Sequence, residues 1–187
     1  MEPQAVVNQA KVKFRQAVEH FQEELKKVRT GRAHPSMLDS VMVEAYGVAM
    51  PLIQVGTVTA PEAQLLQITP FDPNNIATIS SAIRDNPSLG LNPSDDGRLV
   101  RIPIPPLTEE RRREYVKSLG VKAEDCMVSL RNSRHEALKM LDQAKKDKDI
   151  GEDEAKRLEK QVDEEMNKAR GEVESSAKAK EQDIMSL

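Results

Sequence analysis

Apolar side chains recur at every third or fourth position along most of this chain, and the pattern lapses only in its middle. Near the N-terminal end Val7, Ala10, Phe14, Val18 (or Ala17), Phe21, Leu25 and Val28 form one stripe, opposed by Lys11, Arg15, Glu19, Glu23 and Lys27. Steps of three and four predict an amphipathic helix whose period is close to that of helices packed in a bundle. Gly31 stops it and Pro35 keeps it stopped. A second stripe runs through Val116, Leu119, Ala123, Cys126 (with Met127), Leu130, Ser133, Ala137, Met140/Leu141 and Ala144. It opens after Pro105-Pro106-Leu107, with Thr108 placed as an N-cap and Glu109 and Glu110 where the helix dipole favours acids. Roughly 40 residues, ending near Lys148, make a helix about 60 Å long. Ile150-Gly151-Glu152-Asp153 is a break, and the third stripe follows at Ala155, Leu158, Val162, Met166 (or Glu165), Ala169, Val173, Ala177 and Ile184.

Residues 31–106 read differently. Val41–Ala45 and Val48–Met50 flank Tyr46-Gly47, a hairpin signal. Val55–Thr59 and Leu65–Thr69 read as short strands around a turn at Thr59-Ala60-Pro61-Glu62, Asn74–Arg84 has helical spacing, Pro87–Gly97 is turn-rich, and Leu99–Ile104 is a last strand. No long amphipathic helix can leave its stripe in water, so the three must pack together. An intermolecular coiled coil would also cover them, but matched lengths and short breaks favour an antiparallel bundle within one chain. The expected fold is therefore α+β. A three-helix bundle from 1–30 plus 107–187 carries an inserted β/α/β domain at 31–106. The connections at 31–35 and 103–106, with Gly31, Pro35, Pro103, Pro105 and Pro106, form a hinge of limited freedom.

Composition narrows the function. Aromatics are 3% with no Trp, and no apolar run approaches the length of a membrane span, so no membrane role is expected. Met1-Glu2-Pro3-Gln4 has neither the basic nor the apolar block of a signal peptide. One cysteine excludes a disulfide framework, and His20, His34 and His135 lack metal-ligand spacing. Cys126 falls on a core stripe, Gly31-Arg32 is no phosphate loop, and Asp95-Asp96-Gly97 is a turn. With no nucleophile, acid/base pair, metal site or cofactor motif, an enzyme is not expected.

The net charge is −3, but it is unevenly spread. Residues 1–30 carry six basic and four acidic side chains and 107–150 carry eleven and nine; 31–106 carry four and seven, and 151–187 seven and eleven. All the singled-out arginines but Arg32 fall in the positive segments: Arg29 and Arg32 stand about the hinge glycine, Arg111–Arg113 in the first turns of the long helix, and Arg131 and Arg134 with His135 on one face. Two readings compete. The arginines could be a solvated surface paired with acids of neighbouring helices, as in a helical scaffold that docks a protein partner. Or they could grip a polyanion, for which the planar guanidinium fork suits phosphate better than lysine. Scarce aromatics disfavour stacking on single-stranded bases and leave structured RNA as the fitting ligand.

Several separated motifs resemble one family, in its order and spacing. They are Val28-Arg29-Thr30-Gly31-Arg32-Ala33-His34-Pro35, Tyr46-Gly47, Gly90-Leu91-Asn92-Pro93, Ile102 through Arg112, and Arg131-Asn132-Ser133-Arg134, and together they are similar to ribosome recycling factor. The resemblance spans essentially the whole chain. It implies an L-shaped, monomeric, cofactor-free and non-catalytic protein. Such a factor binds the post-termination ribosome in the intersubunit space and, with elongation factor G and GTP, splits it to recycle subunits and messenger RNA. It further implies that Arg29, Arg32, Arg111, Arg112, Arg131 and Arg134 contact large-subunit rRNA, while the small domain and hinge face the small subunit and elongation factor G. The setting would be a bacterial cytoplasm, or a mitochondrial matrix or plastid stroma for a processed organellar form. The chain departs from the family's usual pattern at His135, which replaces an arginine and weakens one cationic contact near neutral pH. Ala45 and His34 also depart from it.

Overall fold

The structure, a computed structural model, describes residues 2–186. The chain divides into two compact units, one comprising the chain up to Thr30 and from Thr108 onward, the other Gly31–Leu107.

The first unit is a bundle of α1 (Pro3–Lys26), α3 (Glu109–Lys146) and α4 (Glu152–Met185). Its core is the three predicted stripes: Phe14, Phe21, Leu130, Leu141, Leu158, Val173 and Ile184 are all but sealed from solvent. Of the alternatives left open at single positions, Leu141 faces inward whereas Met140 is 42% exposed, and Val18 is buried while Ala17 packs at the margin. Side-chain pairs between helices fix their directions. Gln4 bonds Gln161 and Gln22 bonds Ser176, so α1 and α4 run parallel; Lys13 pairs with Glu136 and Lys122 with Glu24, so α3 runs antiparallel to α1.

Local chemistry sets the helix ends. Pro3 stands in the first turn of α1, where its missing donor costs nothing. Thr108 Oγ1 accepts from the Arg111 amide at 3.2 Å, as an N-cap should. The α3–α4 turn was not expected in its actual form. Lys148, with φ +61°, takes the left-handed position after the C-cap, the Asp149 amide donates to Ala144 O at 2.9 Å and the Lys148 amide to Lys145 O at 3.1 Å. That is a Schellman ending built on lysine, in which two otherwise orphaned carbonyls are satisfied.

The second unit holds a hairpin, β1 (Met42–Ala45) with β2 (Val48–Pro51), and an antiparallel sheet. The sheet contains β3 (Gly56–Glu62), β4 (Leu65–Pro70), β5 (Ser94–Asp95) and β6 (Val100–Pro103), in the order β3-β4-β6-β5. One helix, α2 (Ile76–Arg84), buries Ile79 and Ile83 together with Val43, Leu66, Ile68, Val100 and Ile102. The Tyr46-Gly47 turn is the expected one, with both residues at positive φ. The expected turn at Thr59–Glu62 is not. β3 continues to Glu62 with a register irregularity after Thr59, and the chain reverses at Ala63-Gln64. Pro61 is tolerated because β3 is an edge strand with no neighbour on its outer side. The turn-rich stretch 87–97 also contains β5, two residues paired with β6.

Two expected outcomes follow from these contacts. A Cβ built on Gly56 would meet the Thr69 carbonyl at 2.9 Å and Ile68 Cγ2 at 3.2 Å, and neither is the free end of a flexible chain. Gly56→Ala should destabilise the small unit by about 1–3 kcal/mol, read as faster hydrogen exchange across β3 and β4 with the bundle amides unaffected. Unchanged exchange would mean the strands have room to part. The second concerns Glu24, which accepts from Lys122 Nζ and Lys27 Nζ, each at 2.7 Å. Hydrogen bonds from Lys122 and then Lys27 hold its carboxyl down at about 2, against an ordinary 4.5. A depressed carboxyl stabilises the fold above its unfolded pKa, and that contribution is lost as pH falls through the folded value. The Glu24 carboxyl should therefore titrate near 2 by NMR, and Glu24→Gln should remove part of the bundle's acid sensitivity between 4.5 and 2. A midpoint at the ordinary value would mean the α1–α3 bridge is not populated.

Candidate nucleic-acid interface

The arginines singled out by sequence fall in three places. Arg29 follows α1 in the bundle unit and is exposed, with no carboxylate within ion-pair distance among the described residues. Arg32, in the small unit, is likewise exposed and without such a partner. Arg111 and Arg112 lie in the first turns of α3, and Arg131 and Arg134 stand on the same helix about 30 Å further along at 1.5 Å per residue. The α3 sites therefore form two stations along a rod.

Within each station the side chains differ. Arg111 donates to Glu114 at 3.2 Å and Arg113 to Glu109 at 2.5 Å, both exposed pairs on the same helix. Arg112 is half-buried, because its position in the repeat falls on the same side as Val116 and Leu119. Its Nε is shielded and makes no hydrogen bond among the described residues. Arg131 reaches back along α3 to Glu124 at 2.5 Å. Arg134 turns the other way, and its Nε donates to Asp163 Oδ1 of α4 at 2.5 Å. That bond, with the nearby Glu159 charge, raises the Arg134 pKa further above its usual value. The expectation that Arg131 and Arg134 share one exposed face is thus half met: Arg131 and His135 project outward, while Arg134 sits in the α3–α4 seam at 41% exposure. Residues three apart lie about 60° apart around the helix, so both stay on one side of α3, with Arg134 at its margin toward α4 where Asp163 takes it.

Cys126 is buried, its Sγ 3.5 Å from Ala17 O, and burial pushes its thiol pKa up, so it packs as a small apolar group. His34 Nδ1 accepts from the Ser36 amide at 3.1 Å, so it caps the short helical turn opened by Pro35. Pro103 closes β6 opposite Leu65. The chain entering the small unit donates from the Ala33 amide to Ala63 O at 2.6 Å, and the chain leaving it donates from the Ile104 amide to Gln64 O at 2.8 Å. Both are tied to one hairpin turn. Among the described residues, 29–32 and 105–107 make no backbone hydrogen bond, and Gly31 has φ +82°, a conformation that favours glycine.

Two features were invisible to motif reading. One is Asp163, whose partner is 29 residues away on another helix. The other is Tyr46, 72% exposed at positive φ and held by its hydroxyl donating to Asp72 Oδ2 at 2.8 Å, next to the 67%-exposed Phe71. The Tyr-Gly pair signals a turn and says nothing of that anchor.

Comparison with known proteins gives this geometry its context. The family model described as ribosome recycling factor matches residues 21–185. The ribosome-recycling factor of Sorangium cellulosum is 42% identical over 182 residues, covering 97% of this chain and 98% of that protein. That of Alcanivorax borkumensis is 43% identical over 178 residues, covering 95% and 96%. A solution structure of ribosome recycling factor superposes with a TM-score of 0.75 at 36% identity, covering 100% of this chain and 99% of that one. Models of the T. thermophilus factor and the E. coli elongation factor G bound to the E. coli post-termination complex give a TM-score of 0.64 at 38% identity, covering 99% and 100%. The likeness spans both units, and the chain belongs to the ribosome recycling factor family.

Proposed function

We propose that this protein binds the post-termination ribosome and, with elongation factor G and GTP hydrolysis, drives its subunits apart, so that subunits and messenger RNA are reused. What carries the reading is the full-length likeness to recycling factors, one of them described together with elongation factor G on the post-termination complex. On this reading the protein acts as a monomer, without catalysis or cofactor of its own, on bacterial-type ribosomes in the cytoplasm. Large-subunit rRNA is gripped through Arg29, Arg111, Arg112, Arg131 and Arg134 of the bundle together with Arg32 of the small unit, and force applied to the small unit is passed to the bundle. Three of those arginines are already matched by carboxylates, at Glu114, Glu124 and Asp163. The acids keep the free protein from a large uncompensated field, and exposed pairs of this kind are weak enough to exchange for phosphate.

The hinge takes its place in the same scheme. Rather than the expected 31–35 and 103–106, the pivot is drawn at 29–32 and 105–107, because Pro35 opens a helical turn and Pro103 is paired in β6 while Ala33 and Ile104 clamp onto the Ala63-Gln64 turn. Gly31 supplies rotation, and Pro105 and Pro106 resist collapse.

Two measurements test this. Arg131→Ala with Arg134→Ala should weaken binding to isolated large subunits, each lost charge-assisted phosphate contact costing about 1–3 kcal/mol. Helix content should stay unchanged, and the salt dependence of the affinity should become shallower. Wild-type, salt-insensitive affinity in the double variant would instead favour a helical scaffold docking a protein partner. Pro105→Gly with Pro106→Gly should leave binding within about a factor of two but slow splitting. An unaltered splitting rate would show that stiffness of the exit strand is not used.

A further inference from the structure

Arg131 and Arg134 are held in physically different ways. Glu124, the partner of Arg131, stands on the same helix, and both side chains are more than half exposed, at 57% and 63%. That pair is a surface contact along one helix and adds little order. Arg134 is tied across the seam to Asp163 on α4, a helix held against α3 by Leu130, Leu158 and Val162. The bond uses Nε, the inner donor of the guanidinium. Neither Nη group donates to a protein acceptor among the described residues, so the outer edge of the fork is left for a ligand. Asp163 itself accepts nothing else there.

We propose that Asp163 is a positioning residue for RNA binding: by taking Arg134 Nε it turns the paired Nη donors outward along the α3–α4 seam, set for a backbone phosphate. The proposal rests on the reading of this surface as an rRNA contact. A carboxylate close to a phosphate site would ordinarily be a liability. The phosphate lies on the far side of the guanidinium, whose positive charge stands between it and Asp163 and offsets part of the repulsion, and salt screens some of the rest. The arginine, meanwhile, has several rotatable bonds whose ordering would otherwise be charged to the binding step. Holding them beforehand favours association.

The test uses the full-length protein and isolated large subunits, with affinity measured over a range of salt concentrations. Asp163→Ala should bind about threefold to tenfold more weakly with an unchanged salt slope, because no phosphate contact is lost. Asp163→Asn keeps an oxygen acceptor for Nε while removing the charge, and should bind within about twofold of wild type. Arg134→Ala should weaken binding and make the salt slope shallower by roughly 0.7–0.9, the value for one phosphate. In the Arg134→Ala background, Asp163→Ala should add nothing. Tighter binding by both Asp163 variants would overturn the proposal in favour of simple repulsion. Weaker binding by Asp163→Ala even without Arg134 would overturn it in favour of a role in bundle packing, with thermal unfolding as the check. If Arg134→Ala binds as wild type does, the rRNA reading of this station fails first, and the positioning role goes with it.

Discussion

The structure depends on one constraint: three helices, each apolar along a single stripe, have no way to cover those stripes except with one another. α3 alone runs 38 residues, and its inward residues Leu119, Cys126, Leu130, Ala137 and Leu141 lie in one buried cluster with residues of both other helices. Removing one sealed leucine from such a core costs about 2–5 kcal/mol, whereas the exposed ion pairs along the same helices contribute little each. The shape of the bundle is therefore set by its interior. The surface is left free to be arranged for other purposes.

That freedom shows in the charges. Within the bundle nearly every cation near an acid has found it, at Lys13–Glu136, Lys122–Glu24 and Arg134–Asp163 between helices and at several places within them. Arg29, which follows the end of α1, is among the bundle cations with no carboxylate within ion-pair distance among the described residues. On the proposed reading, a protein of net charge −3 that meets an RNA surface is served by such a distribution. Its cations are grouped in two segments, most are neutralised until a stronger anion competes, and the acidic surplus sits on α4 and in the small unit.

Much of this was legible in the sequence, for identifiable reasons. The stripes were clear because burial in a bundle is periodic and long, and Thr108 because its cap lies within one turn of what it caps. What stayed hidden depends on residues distant in sequence or on conformations their residue type does not advertise. Lysine is not a signal for a left-handed turn, yet Lys148 makes one because the hydrogen bonds of Asp149 and the buried Ile150 hold the chain there. Pro61 suggested a turn, and was accommodated on an edge strand instead. The arginine stations were visible as clusters, but it was not visible that Arg131 stays on the exposed surface while Arg134, about 60° round α3, meets α4. Their partners, Glu124 and Asp163, could not be told apart without the fold.

The placing of Gly31–Leu107 between α1 and α3 also bears on how the protein is made. α1 is synthesised first, yet the helices that cover Phe14, Phe21 and Leu25 are completed only when residues 109–185 have followed. At 5–20 residues per second, α1 waits on the order of ten seconds with its apolar stripe uncovered. The small unit, whose contacts all lie within one continuous stretch, can close in the meantime. The order of synthesis therefore lets the small unit close while the bundle still lacks two of its three helices.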